Sequence, residues 1–211
     1  MEGKILDEFV NKEYLNEGAM QKLHEDFKEA SPFKHLEIDN FFHENILLEV
    51  IDALQDEHFE RKDSDLFQFL QTDDLENSNS KFLRDFKKFL MSEDFMIWME
   101  TVSGLRLKRN KVDLTANLYS DTDYLLCHDD QIPGRKIAFI IYLSDLEQKE
   151  GGTLNFFDCV GDRPARIVKS IRPEFNKFVF FEVTPHSFHE VDEVVGETFR
   201  ATLTGWFHAA E

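Results

Sequence analysis

The chain has 211 residues, 42% of them hydrophobic and 22 of them Phe, which is too apolar for a disordered chain despite 31% charged residues. Its net charge of −18 is uneven: residues 1–100 carry 11 Lys and Arg against 25 Asp and Glu, and residues 101–211 carry 13 against 17, a field that disfavours direct nucleic-acid binding and favours basic partners. No apolar run approaches the ~18 residues of a membrane-spanning helix, the N-terminal stretch has no signal-peptide core, and two cysteines, Cys127 and Cys159, fit a reduced intracellular protein of the cytoplasm or nucleus with no membrane partner.

One domain over residues 1–211 is expected, with 1–110 as mainly helical support and 111–208 as core strands. From about residue 3 to 30, apolar residues recur at helical spacing in an otherwise polar stretch. "SPFKHLEIDNFF" then reads as a short strand followed by an Asn40-capped entry into the helix "HENILLEVIDALQDE". In "SKFLRDFKKFLMSEDFMIWMETVSG", Phe82, Phe86, Phe89, Leu90 and Trp98 recur at three- and four-residue spacing, and Gly104 ends the helical run.

From residue 111 the pattern changes to eight short apolar or alternating runs, from "KVDLTANLYS" to "FRATLTGWFH", punctuated by turn residues such as Pro133-Gly134 and Gly151-Gly152. Eight strands at this spacing suggest a sandwich or barrel, with the helices packed on one outer face.

The second of these runs, "YLLCHDD", ends in three ionisable residues. Residues i and i+2 of a strand share a face, so His128 and Asp130 are expected to point one way and Cys127 and Asp129 the other. One imidazole and one carboxylate make two-thirds of a facial metal triad, and "TPHSFHEV" offers His186 and His189 as the third ligand. A 2-His-1-carboxylate set with open positions suits non-haem Fe(II) that also takes a bidentate cosubstrate and dioxygen. Arg200, in the mainly apolar "ETFRATLTGWFH", needs an anionic partner. Taken with the triad spacing, that partner is read as the distal carboxylate of 2-oxoglutarate and not as a structural ion-pair acid.

HDD with the trailing "GRKIAFIIYL", the "GGTL" turn, "NKFVFFEVTPHSFHEV" and "RATLTGWFH", with "PFKHLEIDNFF" and "DLFQFLQTDDLE" upstream, together resemble the Fe(II)/2-oxoglutarate-dependent prolyl 3-hydroxylases of ribosomal protein proline. The resemblance runs from about residue 30 to the C-terminus. It implies a mainly β fold, a double-stranded β-helix of the jelly-roll or cupin type with an N-terminal helical layer. It places the metal ligands His128 and Asp130 at the end of the second core strand and His189 on the seventh, and leaves His186 aside. The cosubstrate anchors fall on Arg200 and Tyr142, with Tyr119 and Thr202 as further pocket candidates; Trp206 and Phe207 are read as packing, and Cys127 as lying behind the site.

The implied cofactors are Fe(II), 2-oxoglutarate as cosubstrate and O2, and the resemblance also admits ascorbate. The implied reaction is hydroxylation, at C3, of a prolyl residue of a basic small-subunit ribosomal protein near the decoding centre, which affects translation. Two other functions stand beside it: an oxygenase acting on a different protein prolyl residue, and a non-catalytic cupin-like regulatory module. Familiar eukaryotic members carry a second, non-catalytic double-stranded β-helix after the first, so this sequence is either a catalytic fragment or a single-domain member.

Overall fold

The computed structural model describes residues 4–210. The first helical stretch is two helices, α1 (Lys4–Phe9) and α2 (Glu17–Glu29), because the Asn16 side chain accepts the Ala19 N–H and opens a new helix there. Its expected start at residue 3 lies outside the described residues. After β1 (His35–Ile38) comes α3 (Glu44–Leu54), which begins later than expected. Asn40 does not cap it: Asn40 takes a left-handed conformation (φ 50°) in the preceding turn, and His43 holds the N-cap position without a side-chain bond.

Residues 81–104 form two helices as well, α4 (Lys81–Leu90) and α5 (Glu93–Ser103). Met91 ends α4, Ser92 caps α5 by accepting the Phe95 N–H, and Gly104 (φ 71°) closes α5 as the sequence suggests. The helical half also holds a hairpin, β2 (Phe59–Ser64) and β3 (Phe67–Thr72), that periodicity did not reveal. Among the described residues, no helix is long and apolar enough to cross a membrane.

All eight expected runs form strands: β4 (Leu107–Tyr119), β5 (Tyr124–His128), β6 (Arg135–Tyr142), β7 (Leu154–Val160), β8 (Arg163–Ile171), β9 (Phe178–Glu182), β10 (His189–Val191) and β11 (Arg200–Ala209). They join the earlier strands in one antiparallel path, β1-β9-β6-β11-β4-β3-β5-β10-β7-β8, with β2 attached to β3. The path curls into a double-stranded β-helix, and β3 bridges its two halves by pairing with both β4 and β5. The last strand, β11, lies between β6 and β4.

Alternation along the central strands divides the interior in two. Ile137, Phe139, Ile141, Phe178, Phe180, Leu203 and Phe207 face the helices and join Phe86, Phe89, Phe95 and Trp98 in one core. Ala138, Ile140, Tyr142, Val179 and Phe181 face the other way and meet Leu154, Phe156 and Val191 from the opposite half. The helical layer therefore backs the sheet and leaves the inner face to line a cavity.

Candidate metal and cosubstrate site

The cavity, about 480 Å³, is roofed by Lys62, Leu66, Phe67, Phe69 and Gln71 of the hairpin and contains His128, Asp130, His189, Tyr119 and Arg200 in its walls. His128 ends β5 and His189 begins β10, and the two are register partners with ring centroids 4.2 Å apart. Asp130 reaches the same place by a different route from the one expected. It lies beyond the end of β5, so the shared-face rule of a strand does not apply to it. Its left-handed backbone (φ 62°) turns the carboxylate back, with Oδ1 3.6 Å from His128 Nε2 and Oδ2 3.6 Å from His189 Nε2. The three side chains each offer one ligand atom within 4.8 Å of the others.

Hydrogen bonding settles which ring atoms face the centre. His128 Nδ1 lies 2.8 Å from Leu126 O, and His189 Nδ1 lies 2.8 Å from Ser187 O. A carbonyl only accepts, so each Nδ1 donates and each neutral ring turns the Nε2 lone pair toward Asp130. When both rings are neutral, two lone pairs and a carboxylate converge, an arrangement that a divalent cation satisfies.

The electrostatics separate the two rings. Burial drives the His189 imidazole down to about 4, assisted by the charge on His128, so it is neutral near pH 7. Burial also acts against charge on His128, but the hydrogen bond and charge of Asp130 outweigh it and raise the imidazole above its ordinary value. For Asp130 burial is again overcome, by the His128 hydrogen bond, the charges of both imidazoles and the Trp206 N–H, so its carboxyl stays well below the usual carboxylate range.

The other ionisable residues of the motifs lie outside the converging set, although Asp129 lines the same cavity. Asp129 Oδ1 accepts the Gln131 N–H, and exposed His186 has Nε2 3.3 Å from Asp162. Cys127 is half-buried, and burial pushes its thiol up to about 11, unlike a metal-bound thiolate.

Arg200 opens β11 opposite Tyr119 of β4 and is 1% exposed. Its Nε donates to Gly152 O (2.9 Å) and its Nη2 to Tyr142 Oη (3.4 Å), and the guanidinium carbon lies 5.1 Å from the ring centroids of both Tyr119 and Tyr142. Among the described residues it has no carboxylate partner within ion-pair distance, so the structural ion-pair reading fails. On the same face two residues on, the Thr202 hydroxyl is buried without a hydrogen-bond partner. A buried cation with uncommitted N–H groups, an unpartnered hydroxyl and a tyrosine hydroxyl together suit a carboxylate.

Three contributors were not read from sequence. The "GG" turn was taken only as a turn, but Gly152 (φ 65°) leaves room for Arg200: a Cβ there would stand 3.2 Å from Arg200 Cδ and 2.9 Å from Leu146 Cδ2. Trp206, read as packing, lines the cavity and donates Nε1–H to Asp130 Oδ2 at 3.0 Å. Arg135 lies with its guanidinium carbon 3.3 Å from the Trp206 ring centroid and reaches Asp130 Oδ1 at 3.4 Å. Phe207 is wholly buried packing, as expected.

A facial His-Asp-His set inside a double-stranded β-helix, beside a buried arginine with no acid partner, defines the non-haem-iron class of oxygenase domains that use Fe(II), 2-oxoglutarate and O2. Residues 114–208 match the family model of the 2OG-Fe(II) oxygenase superfamily. The chain is 43% identical over 184 residues to "Prolyl 3-hydroxylase OGFOD1" of Mus musculus, covering 85% of this chain and 33% of that protein. It is 36% identical over 203 residues to "Prolyl 3,4-dihydroxylase OGFOD1" of Ostreococcus tauri, covering 86% of this chain and 39% of that protein. The chain thus spans about a third of the length of these curated relatives. Among solved structures, a prolyl-4-hydroxylase of Pseudomonas putida has the same fold, with a TM-score of 0.71 at 15% identity, covering 90% of this chain and all of that one. So does a Trichoplax adhaerens prolyl hydroxylase in complex with a hypoxia inducible factor peptide fragment, with a TM-score of 0.68 at 16% identity over 92% and 93% of the two chains.

Proposed function

We propose that the chain hydroxylates a prolyl residue, at C3, in a basic protein substrate, and that this substrate is a small-subunit ribosomal protein. The observation that carries the oxygenase part is the pairing of three converging metal-ligand atoms with a buried, acid-free Arg200 in the wall of one cavity. The prolyl 3-hydroxylase part draws on the 43% identity to the mouse relative. The ribosomal part draws on the motif resemblance and on charge, since a chain of net −18 attracts basic segments.

In this class, Fe(II) with 2-oxoglutarate and O2 supplies the oxidising power that a C–H bond requires. The chain supplies placement. His128, Asp130 and His189 would hold the metal through their converging ligand atoms in the cavity wall. Arg200, with the Tyr142 and Thr202 hydroxyls, holds the distal carboxylate of the cosubstrate, and the Tyr119 ring covers the guanidinium. The β2–β3 hairpin, with Leu66 and Phe67 in the cavity lining, covers the substrate and keeps water away from the reacting atoms.

The test is to incubate the chain with Fe(II), 2-oxoglutarate and a proline-containing, Lys/Arg-flanked ribosomal-protein peptide. Peptide gaining one oxygen at proline C3, with matching succinate, is the expected result. Succinate with no change in this peptide, but oxygen gain in another prolyl peptide, would move the substrate assignment. No 2-oxoglutarate turnover with any peptide would favour a regulatory module.

A further inference from the structure

The carboxylate of Asp130 has a distinct partner on each oxygen besides the imidazoles. Oδ2 accepts the Trp206 indole N–H at 3.0 Å, and Oδ1 accepts from Arg135 Nη1 at 3.4 Å. The two partners are stacked on each other, with the Arg135 guanidinium carbon 3.3 Å from the Trp206 ring centroid, a cation–π contact. They come from neighbouring strands, since β11 pairs with β6, and both line the cavity. Asp130 itself stands off any strand in a left-handed conformation, so backbone pairing does not fix its side chain.

The two partners differ in what a metal does to them. An indole N–H is neutral and can remain on a carboxylate that also binds a cation. A guanidinium repels a divalent cation at the same carboxylate. Asp130 is the one ion-pair partner of Arg135 among the described residues.

We propose that Trp206 and Arg135 form a clasp on Asp130 in which Trp206 is a permanent positioning residue and Arg135 is a place-holding cation that gives way to the metal. Trp206 fixes the carboxylate orientation in both the free and loaded site. Arg135 balances Asp130 until the metal arrives and then turns its donors to the cavity it lines. The proposal rests on the metal reading of the triad.

The test is equilibrium Mn(II) binding, followed by the free-ion EPR signal, with no substrate present. Trp206→Phe keeps the ring and loses the N–H, and should weaken Mn(II) binding roughly 10- to 100-fold, the range for partners of metal ligands. Arg135→Gln should tighten it by about threefold or more, since a competing charge has gone. Opposite signs at two stacked side chains are not what a general loss of packing produces. Unchanged affinity in Trp206→Phe overturns the positioning role, and unchanged or weaker affinity in Arg135→Gln overturns the place-holder role. Unfolding midpoints in chelator check that both variants fold; should Trp206→Phe not fold, Arg135→Gln carries the test alone. A wild-type chain that binds no Mn(II) overturns the metal site and the clasp together, whereas binding without the two expected shifts overturns only the clasp.

Discussion

Thr202 and Arg200 make opposite demands on the fold and on the cosubstrate. An unpartnered buried hydroxyl costs about 1–3 kcal/mol, so Thr202→Val should leave thermal stability equal or higher while weakening 2-oxoglutarate binding; lower stability with unchanged binding would remove Thr202 from the site. Arg200→Ala should raise the 2-oxoglutarate requirement tenfold or more, because a charge-assisted contact contributes about 2 kcal/mol, and Tyr142→Phe should do less. The raised His128 imidazole sets a pH dependence, since a proton must leave before Nε2 can bind a metal. Mn(II) affinity should therefore fall as pH is lowered below that value, by up to about tenfold per pH unit for one proton. In chelator the sign for stability reverses: the protonated His128–Asp130 pair contributes fully below the unfolded imidazole value and is lost as pH rises through the folded one. Residue types alone revealed His128, Asp130 and Arg200, because an imidazole, a carboxylate and a lone arginine in apolar runs are conspicuous, and left the third ligand between His186 and His189 until the motif resemblance chose His189. The left-handed turn at Asp130 was not legible, and neither were Trp206 and Arg135, whose roles exist only once β11 lies beside β6.

At the scale of elements, the hairpin is joined to the sheet by the pairing of β3 with β4 and β5 and, from β2, by an ion pair. Arg61 of β2 donates through Nη1 (3.0 Å) and Nη2 (2.6 Å) to Asp123, a wholly buried carboxylate that also accepts the Ser120 N–H and hydroxyl. Arg61→Ala leaves that carboxylate with only its local donors. Amide hydrogen exchange should accelerate across residues 59–72 while α4 and α5 are unchanged, and KM for the peptide should rise more than KM for 2-oxoglutarate. Equal exchange in the hairpin would show that strand pairing alone holds it. The hairpin escaped periodicity because "FERKDS" is polar and lies at the margin of the sheet, where only β3 pairs with it. The eight later strands were legible because each is short, apolar or alternating, and bounded by turn residues.

For the whole molecule, the charge asymmetry gains a location. The acidic N-terminal helices pack on the back of the sheet, away from the cavity, so on the proposed function they would attract a basic substrate through the long-range field and not by contact. kcat/KM for a Lys/Arg-flanked prolyl peptide should fall steeply with ionic strength, since screening sets in over ~8–10 Å. Uncoupled 2-oxoglutarate turnover should change little, and salt-independent kcat/KM would leave the acidic layer to solubility. The order of the strands has a consequence for biosynthesis. β11, the central strand between β4 and β6, is the last to be made, and Tyr119 waits 81 residues for its partner Arg200. At ~5–20 residues per second, that is roughly 4–16 s of translation. Once β6 has also been made, the Leu114 and Ile141 faces stand beside an unfilled gap until β11 arrives, so a nascent chain halted before Arg200 is a natural client for chaperones at the ribosome.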